Sequence, residues 1–258
     1  MLLRLIGKWL KAGVLESGAL SYPDSGTPQG GVISPLLSNV YLHYVLDEWF
    51  EREVKPRLRG RAFLIRYADD FVMGFSQESD ARRVWEVLPK RFGKYGLTIH
   101  PEKTRLVPFA PPVQAGGDGP AGPDSGTFDF LGFTHHWGRS RKGNWIVQRR
   151  TAASRFRRAI GRIAEWCRVH RHEPIAEQHA VLSQKLRGHY GYFGITGNYR
   201  FLARFQFAVK GLWRTWLSRR SWAARLGWDV FDRLLKCFPL PPPRAVHSVC
   251  RLAGQPMT

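Results

Sequence analysis

The amino-acid sequence changes its hydrophobic period abruptly at one place in its first half. The segments Ala62–Tyr67 and Phe71–Phe75 are almost wholly apolar, and only the triplet Ala68-Asp69-Asp70 separates them. Apolar runs of this length around a short polar break predict two antiparallel strands joined by a tight turn. We expect both strands to belong to a buried sheet from which the turn rises. This hairpin constrains the fold more strongly than any other segment.

Apolar residues at helical spacing surround this hairpin. They predict one helix over Leu2–Glu16, a second that begins at Ser34 before a proline, and a third over about Ser79–Tyr95. Ser34 is expected to cap the second helix, because a hydroxyl residue before a proline is a common helix start. Two further short strands are predicted, at Leu97–Ile99 and at Leu106–Phe109.

The second half of the chain has a different pattern. Phe128–Phe133 and Trp145–Val147 bracket another predicted hairpin, and the spacing beyond Thr151 is helical to about residue 236. Strands mixed with helices, followed by helices alone, predict fold class α/β with an all-α unit after it. The predicted divisions are a domain at 1–148 with a flexible Pro/Gly-rich loop at 110–127, a basic helical domain at 149–236 and a proline-rich tail at 237–258.

Charge is distributed unevenly along the chain. The formal net charge is +20, and residues 139–225 hold 20 Lys and Arg against 3 Asp and Glu, whereas residues 1–138 hold 16 against 15. A positive field of this strength attracts polyanions and speeds their association, so nucleic acid is the expected partner. An anionic membrane surface is the alternative, although no apolar run is long enough to span a bilayer.

The cysteines Cys167, Cys237 and Cys250 are too far apart for a zinc motif or a disulfide framework. Ordinary buried or surface thiols are therefore the simpler interpretation. Unpaired thiols match a reducing compartment, so we expect the protein in the cytoplasm.

The two adjacent carboxylates of the turn have two interpretations. Asp is favoured in turns for its side-chain hydrogen bonds, so a solvated turn is the simpler one. Asp69 and Asp70 follow an apolar strand, however, and two like charges beside a core repel each other unless a cation neutralises them. Mg²⁺ accepts oxygen ligands and leaves positions for water and phosphates, as in-line displacement at a phosphoryl group requires. Both residues are therefore candidate metal ligands.

A glycine-rich segment, Gly26-Thr27-Pro28-Gln29-Gly30-Gly31, precedes the second predicted helix. Such a turn lets the backbone approach a phosphate or a base closely, although a plain structural turn explains it equally well. The segment matches neither the P-loop nor the dinucleotide-binding fingerprint. ATPase and dehydrogenase functions are therefore not expected.

Three segments in the first half resemble blocks of the reverse transcriptases that group II introns encode. Residues 26–39, GTPQGGVISPLLSN, resemble the block before the catalytic turn, and residues 66–71, RYADDF, resemble the YADD box. Gly96-Leu97 with Glu102-Lys103-Thr104 resembles the block that follows. This block departs from the family at His100, where Asn is usual.

Two further blocks follow in the order of the same family. Residues 130–133, FLGF, resemble the hairpin that supports the primer end, and residues 187–193, RGHYGYF, resemble the RNA-binding thumb, or maturase X, motif. The likeness runs from residue 1 to about residue 235. It implies a partial reverse-transcriptase palm, an antiparallel sheet with helices, followed by a helical thumb/maturase X domain in a bacterial cell.

The resemblance implies a role for each matched residue. Asp69 and Asp70 would bind the catalytic Mg²⁺. Lys103 would neutralise or protonate the leaving pyrophosphate, although an ordinary surface lysine is an equally good interpretation of this residue. The other implied residues are Pro28, Gln29, Gly30 and Tyr67 for nucleotide and template, Phe130, Leu131 and Gly132 for the primer grip, and Arg187 and Tyr190 for RNA. The implied partners are group II intron RNA, an RNA template with a DNA primer, and dNTPs.

One departure limits the expected activity. The first catalytic block of the family, a strand with another metal-binding Asp, lies upstream of a helix that resembles the opening of this sequence. We therefore expect the fingers and this Asp to be absent, and Asp24, Asp47 and Glu48 give no sign of facing Asp69. A metal pair held from one side should bind weakly, so this chain alone is not expected to polymerise DNA.

The basic region has alternatives of its own. Arg155, Arg158 and Arg162 form one stripe of a predicted helix, and aromatic residues are interleaved with the arginines. Arginine contacts phosphates and aromatic rings stack on bases, which suits RNA. A solvated face is the simpler interpretation for some arginines, and a core position is the simpler one for Phe201, Phe205 and Trp213.

Three functions therefore stay open. The leading hypothesis is a partial reverse transcriptase and maturase, completed by a dimer partner or by a separate N-terminal fragment. A non-enzymatic maturase that binds intron RNA is the second possibility. The third is a vestigial remnant of a mobile element.

Overall fold

The computed structural model describes residues 2–10, 14–16, 19–21, 33–112, 126–140, 142–221 and 226–247. The chain divides into two compact units, Met1–Leu106 and Val107–Thr258. The sequence instead suggested a division after residue 148, where its pattern changes from strands to helices. Hydrogen bonds that join the three-stranded sheet of residues 128–151 to the helices, described below, favour the boundary after Leu106.

The first helix is shorter than its apolar pattern predicts. Helix α1 covers Leu2–Leu10, and strands β1 (Val14–Glu16) and β2 (Ala19–Ser21) then pair antiparallel. The predicted helix included β1, and this part of the prediction is wrong. Gly13 separates the two elements, and glycine and the β-branched valine after it both have low helix propensity.

The next helical segment contains two π-helical stretches. Helix α2 covers Ser34–Leu42, and π turns follow at His43–Asp47 and Phe50–Val54. The predicted helix start is confirmed, but the predicted cap is wrong. Ile33 occupies the N-cap position and makes no side-chain capping hydrogen bond, because the helix already includes Ser34.

The predicted hairpin and the helix after it are confirmed. Strands β3 (Ala62–Tyr67) and β4 (Asp70–Phe75) pair antiparallel, and helix α3 covers Glu78–Lys94. One face of the hairpin packs against a core formed by the helical residues. The buried residues of this core are Val45, Leu46, Trp49, Phe50, Val54, Val84, Leu88 and Phe92.

Residues 97–109 contain no strand, contrary to the two short strands predicted there. Leu97 packs partly buried against the core of the first unit. Phe109 packs edge-on against Phe128 in the second unit, with ring centroids 5.0 Å apart. The apolar character of this stretch therefore comes from side-chain packing, and its prolines remove backbone donors that a ladder would use.

A three-stranded sheet opens the described part of the second unit. Strands β5 (Phe128–Phe130), β6 (Phe133–Arg139) and β7 (Trp145–Thr151) are antiparallel and lie in that order. A hairpin that ends in Trp145–Val147 is confirmed between β6 and β7, but its first strand begins at Phe133, and the single strand predicted over Phe128–Phe133 is wrong. A second hairpin joins β5 to β6 through the two-residue turn Leu131-Gly132.

Helices follow the sheet, as the sequence predicted. They are α4 (Ala153–Val169), α5 (Ile175–Phe193), α6 (Tyr199–Leu217) and α7 (Trp228–Cys237). Their buried core consists of Ile163, Cys167, Leu182, Leu186, Tyr190, Leu202, Phe205, Val209, Trp213, Leu217, Phe231 and Leu240. None of the helices described in either unit is long and apolar enough to span a membrane.

Hydrogen bonds at the end of β7 join the sheet to the helices. The Ala152 amide donates to the Gly132 carbonyl at 2.9 Å. The Thr151 backbone N–H donates to the side-chain oxygen of buried Asn198 at 3.0 Å. The side-chain Nδ2 of Asn198 donates to the Thr151 hydroxyl and to the Phe193 carbonyl, at 2.8 and 2.9 Å. The sheet and the helices therefore form one unit.

Residues 238–247, which we call the strap, pack on the helices instead of extending away as a tail. Leu240 is 7% exposed and belongs to the helical core. The Tyr190 hydroxyl and the Gln206 amide both donate to the Pro241 carbonyl, at 3.3 and 2.8 Å. The prolines end α7, as predicted, and the strap then fills a position in the core.

Candidate metal-binding turn and basic surface

The turn between β3 and β4 presents two carboxylates to solvent. Tyr67 and Asp70 are paired across it, and Ala68 has a left-handed φ of 53° at its first position. The side chains of Asp69 and Asp70 are both exposed. Within the described parts of the chain, no group of three or more His, Cys, Asp or Glu residues could hold a metal ion. The turn therefore offers a pair of adjacent carboxylates.

The sheet that carries this turn is covered on one face only, although the sequence predicted a buried sheet. Side chains alternate along β3, so that Leu64 packs against the core while Phe63, Ile65 and Tyr67 are 53%, 53% and 67% exposed. Apolar residues in both alternating positions concealed this difference at the sequence level. The carboxylate pair stands at the end of a half-exposed hairpin.

Arg66 connects the turn to the helical segment beside it. Its Nε and Nη2 donate to the two carboxylate oxygens of Asp47, at 2.8 and 2.7 Å. Its Nη1 donates to the side-chain oxygen of Asn39 and to the backbone carbonyl of Ala68, both at 2.8 Å. The Arg66 side chain is 13% exposed, and the hydrogen bond to Asp47 raises the pKa of its guanidinium.

Sequence reasoning missed this network. The sequence assigns Asp47 no role beyond that of a possible substitute metal ligand, whereas in the structure its carboxylate binds Arg66 and reaches the turn through that side chain. A signal was present, because Arg66 shares the inward position of Leu64 in the alternating strand. A charged residue at such a position needs a partner.

The structure describes some of the predicted nucleotide-site residues and not others. Pro28, Gln29 and Gly30 lie outside the described residues, so their role in binding nucleotide and template stays a prediction. Tyr67 is exposed beside the carboxylates. Lys103 is exposed in a turn at residues 101–103, and its role at the pyrophosphate also stays a prediction.

The predicted primer-grip residues form the turn between β5 and β6. Leu131 and Gly132 have φ values of 49° and 77°, the left-handed angles of a two-residue hairpin turn. The Tyr192 hydroxyl donates to the Leu131 carbonyl at 3.0 Å, and its ring stacks on Phe133 with centroids 6.0 Å apart. The turn is thus held by α5, while the primer-grip role of Phe130, Leu131 and Gly132 stays a prediction.

The helical unit exposes the predicted arginines. Arg155, Arg158 and Arg162 are exposed along α4, and Arg187 is exposed on α5. Residues three and four positions apart share one face of a helix, so the three arginines of α4 form a continuous basic stripe. Their contact with RNA stays a prediction.

In one surface groove of the helical unit, basic side chains lie beside a stacked aromatic pair. Arg158, Arg162 and Lys185 line it together with Trp166 and His170. The Trp166 and His170 rings stack with centroids 4.7 Å apart, and the Lys185 Nζ lies 5.7 Å from the Trp166 ring. Cations for phosphates and flat rings for bases are the features that RNA-binding surfaces combine.

Tyr190 does not belong to the accessible surface. It is 3% exposed, and its hydroxyl donates to the Pro241 carbonyl. Burial raises the pKa of this hydroxyl above its ordinary value. The predicted contact of Tyr190 with RNA is incompatible with this burial, because α5 turns it toward the core together with Leu186, whereas Arg187 and Tyr192 are exposed.

Residues 3–135 match the model of the reverse transcriptase (RNA-dependent DNA polymerase) family, which is about half of the chain and includes the YADD turn. The chain belongs to the reverse transcriptase family. The predicted fold class of this chain, an α/β palm with an antiparallel sheet and helices, is thereby confirmed.

Several curated proteins resemble parts of this chain. The group II intron-encoded protein LtrA of Lactococcus lactis subsp. cremoris is 48% identical over 62 residues, which are 21% of this chain and 10% of LtrA. Protein YkfC of Escherichia coli K12 is 36% identical over 130 residues, covering 40% of this chain and 34% of YkfC. An uncharacterized 91 kDa protein in the cob intron of Schizosaccharomyces pombe is 49% identical over 49 residues, 19% of this chain and 6% of that protein.

These matches confirm the resemblance to group II intron-encoded reverse transcriptases and maturases. The aligned part of the chain spans about a tenth of LtrA and about a third of YkfC. The activity, substrates and partners of those whole proteins are therefore matters of proposal for this chain.

The chemistry of the turn fits the Mg²⁺ that reverse transcriptases use. Asp69 and Asp70 supply carboxylate oxygens, and Mg²⁺ is commonly held by one or two carboxylates together with waters and substrate phosphates. The pair accounts for one side of such a coordination shell. Ligands from another side are needed to hold two cations.

Proposed function

We propose that this chain serves RNA-directed DNA synthesis of the group II intron type, with Asp69 and Asp70 as its metal ligands. The observation that carries the proposal is the exposed carboxylate pair on a hairpin turn inside the family match. When bound, Mg²⁺ stabilises the charge that develops on the transferring phosphoryl group.

The remaining roles of the chain follow from this proposal. Asp69 and Asp70 would hold the cation by their carboxylate oxygens, and Tyr67 stands exposed beside them on the same turn. Gln29 would contact template and nucleotide, and Lys103 would neutralise the leaving pyrophosphate. Electrostatic positioning of this kind supplies most of the catalysis in phosphoryl transfer.

We also propose that the chain by itself does not extend a primer. Two carboxylates from one turn provide part of the ligands that a pair of cations requires. A partner subunit or a separate N-terminal fragment that carries a further carboxylate would complete the site. Until then the cation would be bound weakly and the reacting phosphate would not be positioned.

Binding of intron RNA without polymerisation is the second candidate function. Two observations favour it: the exposed arginine stripe on α4, and the groove in which Trp166 stacks on His170. This function requires no metal and would persist in a chain that cannot polymerise. It corresponds to the maturase activity expected for the family.

Primer extension with the purified chain tests the first function. The assay contains an RNA template, a DNA primer, dNTPs and Mg²⁺, and binding of Mn²⁺ is measured in parallel by electron paramagnetic resonance. We expect the chain to bind Mn²⁺ but not to extend the primer. Asp69→Asn should abolish Mn²⁺ binding. The control Asp232→Asn, at an exposed position of α7, should retain it. If the chain alone extended the primer, and Asp69→Ala abolished that extension, the proposal that the chain is inactive by itself would be contradicted. Equal Mn²⁺ binding by wild type and Asp69→Asn would overturn the metal role.

A further inference from the structure

Arg66 links the carboxylate turn to the helical segment beside it through hydrogen bonds. Its three nitrogens make four hydrogen bonds, three of them to Asp47 and Asn39 and one to the Ala68 carbonyl. A guanidinium presents its donors as a rigid planar fork, so one side chain can hold several partners in fixed directions. The fork thus links two helical side chains to the backbone of the turn.

The backbone that Arg66 holds is the one that orients Asp69. Ala68 has a φ of 53°, which a non-glycine residue adopts only when its surroundings stabilise it. The carbonyl of Ala68 belongs to the peptide unit that ends at the nitrogen of Asp69. A hydrogen bond to that carbonyl therefore restricts rotation of the peptide from which the Asp69 side chain projects.

The helical end of the network is rigid. Asp47 ends a π turn in which Val45 and Leu46 are 2% and 0% exposed. The Arg91 side chain donates to the Val45 carbonyl at 3.1 Å and fixes the same turn from α3. Arg66 therefore connects the turn to a part of the fold that cannot shift without disturbing the core.

The charge of Arg66 is also compensated. Its bidentate contact with the Asp47 carboxylate is the geometry in which arginine and carboxylate pair most strongly. The pair is partly buried, with side-chain exposures of 13% for Arg66 and 27% for Asp47. A guanidinium neutralised in this way can hold a cation-binding turn without adding a net positive charge beside it.

We propose that Arg66 is the positioning residue of the cation site, which holds the Ala68-Asp69 peptide in the orientation that directs the Asp69 carboxylate to the metal. Asp47 and Asn39 fix the guanidinium in turn. This inference rests on the proposed metal role of the turn. Partners behind the ligands of a metal site typically change metal affinity or activity by about 10- to 100-fold when they are altered.

Mn²⁺ binding to matched arginine variants of the full chain tests the inference. Arg66→Lys keeps the charge and loses the fork, and Arg82→Lys makes the same chemical change at an arginine of the same unit whose guanidinium donates to Glu78 within α3. We expect the Mn²⁺ Kd to rise about tenfold in Arg66→Lys and to stay within about twofold of wild type in Arg82→Lys. Thermal unfolding and circular dichroism establish that each variant is folded.

A second variant keeps the test decisive if Arg66→Lys does not fold. Asn39→Ala removes an exposed acceptor of the same Nη1 that bonds the Ala68 carbonyl, so it loosens the fork without disturbing a buried residue. Its Mn²⁺ Kd should lie between those of wild type and Arg66→Lys. The Mn²⁺ line shape should change in the same order, a readout that a loss of global stability in a folded sample does not move.

The outcomes separate the positioning role from the metal role. Loss of binding in Asp69→Asn with unchanged Kd in Arg66→Lys and Asn39→Ala would overturn the positioning role and leave the metal role intact. Equal weakening in Arg66→Lys and Arg82→Lys would reduce Arg66 to a general stabilising contact and would also overturn its positioning role. Absence of Mn²⁺ binding by the wild-type chain would overturn both proposals.

Discussion

Ala68 and Leu131 each hold a left-handed backbone conformation at a hairpin turn, with φ of 53° and 49°. A residue with a Cβ pays roughly 1–2 kcal/mol for this conformation, and glycine does not. Because glycine also has more freedom to lose on folding, we expect Ala68→Gly to raise the free energy of unfolding by about 0.5–1 kcal/mol. Urea denaturation measures this change.

Cation binding distinguishes the two turns. Ala68→Gly should weaken Mn²⁺ binding although it stabilises the fold, because glycine relaxes the peptide that carries Asp69. Leu131→Gly is the matched control, since it relieves the same conformation at a turn without a carboxylate pair. A loss of stability in Ala68→Gly would contradict the assignment of backbone strain to Ala68.

His189 is a partly buried imidazole that packs beside a residue of the helical core. Its ring stacks on Phe205 with centroids 3.7 Å apart, and its Nε2 is buried without a hydrogen-bond partner among the described residues. Burial lowers the pKa of the His189 imidazole to about 4 from its ordinary 6.5. The unfolded chain therefore binds a proton more readily than the folded chain, and folding loses stability as the pH falls from about 6.5 to about 4.

Replacement of His189 by phenylalanine should remove this acid sensitivity. His189→Phe keeps a flat ring for the stack on Phe205 and has no group that titrates. We expect the urea midpoint of wild type to fall more between pH 7 and pH 4.5 than that of His189→Phe. Parallel curves for the two proteins would contradict a depressed pKa at His189, since other histidines contribute equally to both.

Among the elements, the connection from α4 to α5 depends on one buried amide. Gln178 is 1% exposed, and its Nε2 donates to the carbonyls of His170, Arg171 and Glu173 at 2.9, 3.2 and 2.9 Å. Its Oε1 accepts a hydrogen bond from Trp213 Nε1 at 2.9 Å. A single side chain thus satisfies the backbone of a tight connection and the indole of a core residue.

Loss of this amide should destabilise the helical unit strongly. Gln178→Leu leaves the three carbonyls and the Trp213 N–H buried without that partner, which we expect to cost about 3 kcal/mol in the free energy of unfolding. Chemical denaturation measures the loss. Gln184→Leu, the same change at an exposed position of α5, should stay within about 0.5 kcal/mol of wild type. Similar losses in the two variants would contradict the role given to Gln178.

Elements with a strong period were predictable from the sequence, and elements decided by packing were not. The β3–β4 hairpin and α3 repeat their pattern over many residues, so local preference and tertiary structure agree. Residues 97–109 carry apolar side chains that pack without forming a ladder. The π turns of the second helical segment have no sequence signature, because they depend on how Val45 and Phe50 fit the core.

The same contrast holds for the site. Asp69 and Asp70 are adjacent in sequence and could be recognised as a motif, whereas the Arg66 network joins residues 19 and 27 positions apart. Such contacts depend on the packing of a strand against a helix. Tyr190 illustrates the opposite error, because a residue in an RNA-binding motif can still face the core.

At the scale of the whole molecule, the uneven charge predicts where RNA binds. The affinity of a basic surface for single-stranded RNA falls with salt by a slope of about 0.7 per neutralised phosphate. We expect Arg158→Gln with Arg162→Gln to weaken intron RNA binding and to reduce the slope of log affinity against log salt by about 1.4. A filter-binding titration at several salt concentrations measures both quantities.

An equal change of charge in the first unit is the control for that experiment. Arg82→Gln with Arg83→Gln removes two exposed arginines from α3 and alters the net charge of the chain by the same amount. This pair should leave the slope nearly unchanged. An equal effect of both pairs would mean that the overall charge, and not the groove on the helical unit, governs binding.

The strap has a practical consequence for anyone who engineers this protein. A purification tag or a fluorescent reporter fused directly after Cys237 would delete Leu240 from the hydrophobic core. It would also leave the Tyr190 hydroxyl and the Gln206 amide without the Pro241 carbonyl. Fusions should therefore begin beyond His247. If a version that ends at Cys237 aggregates, the cause is the loss of the strap.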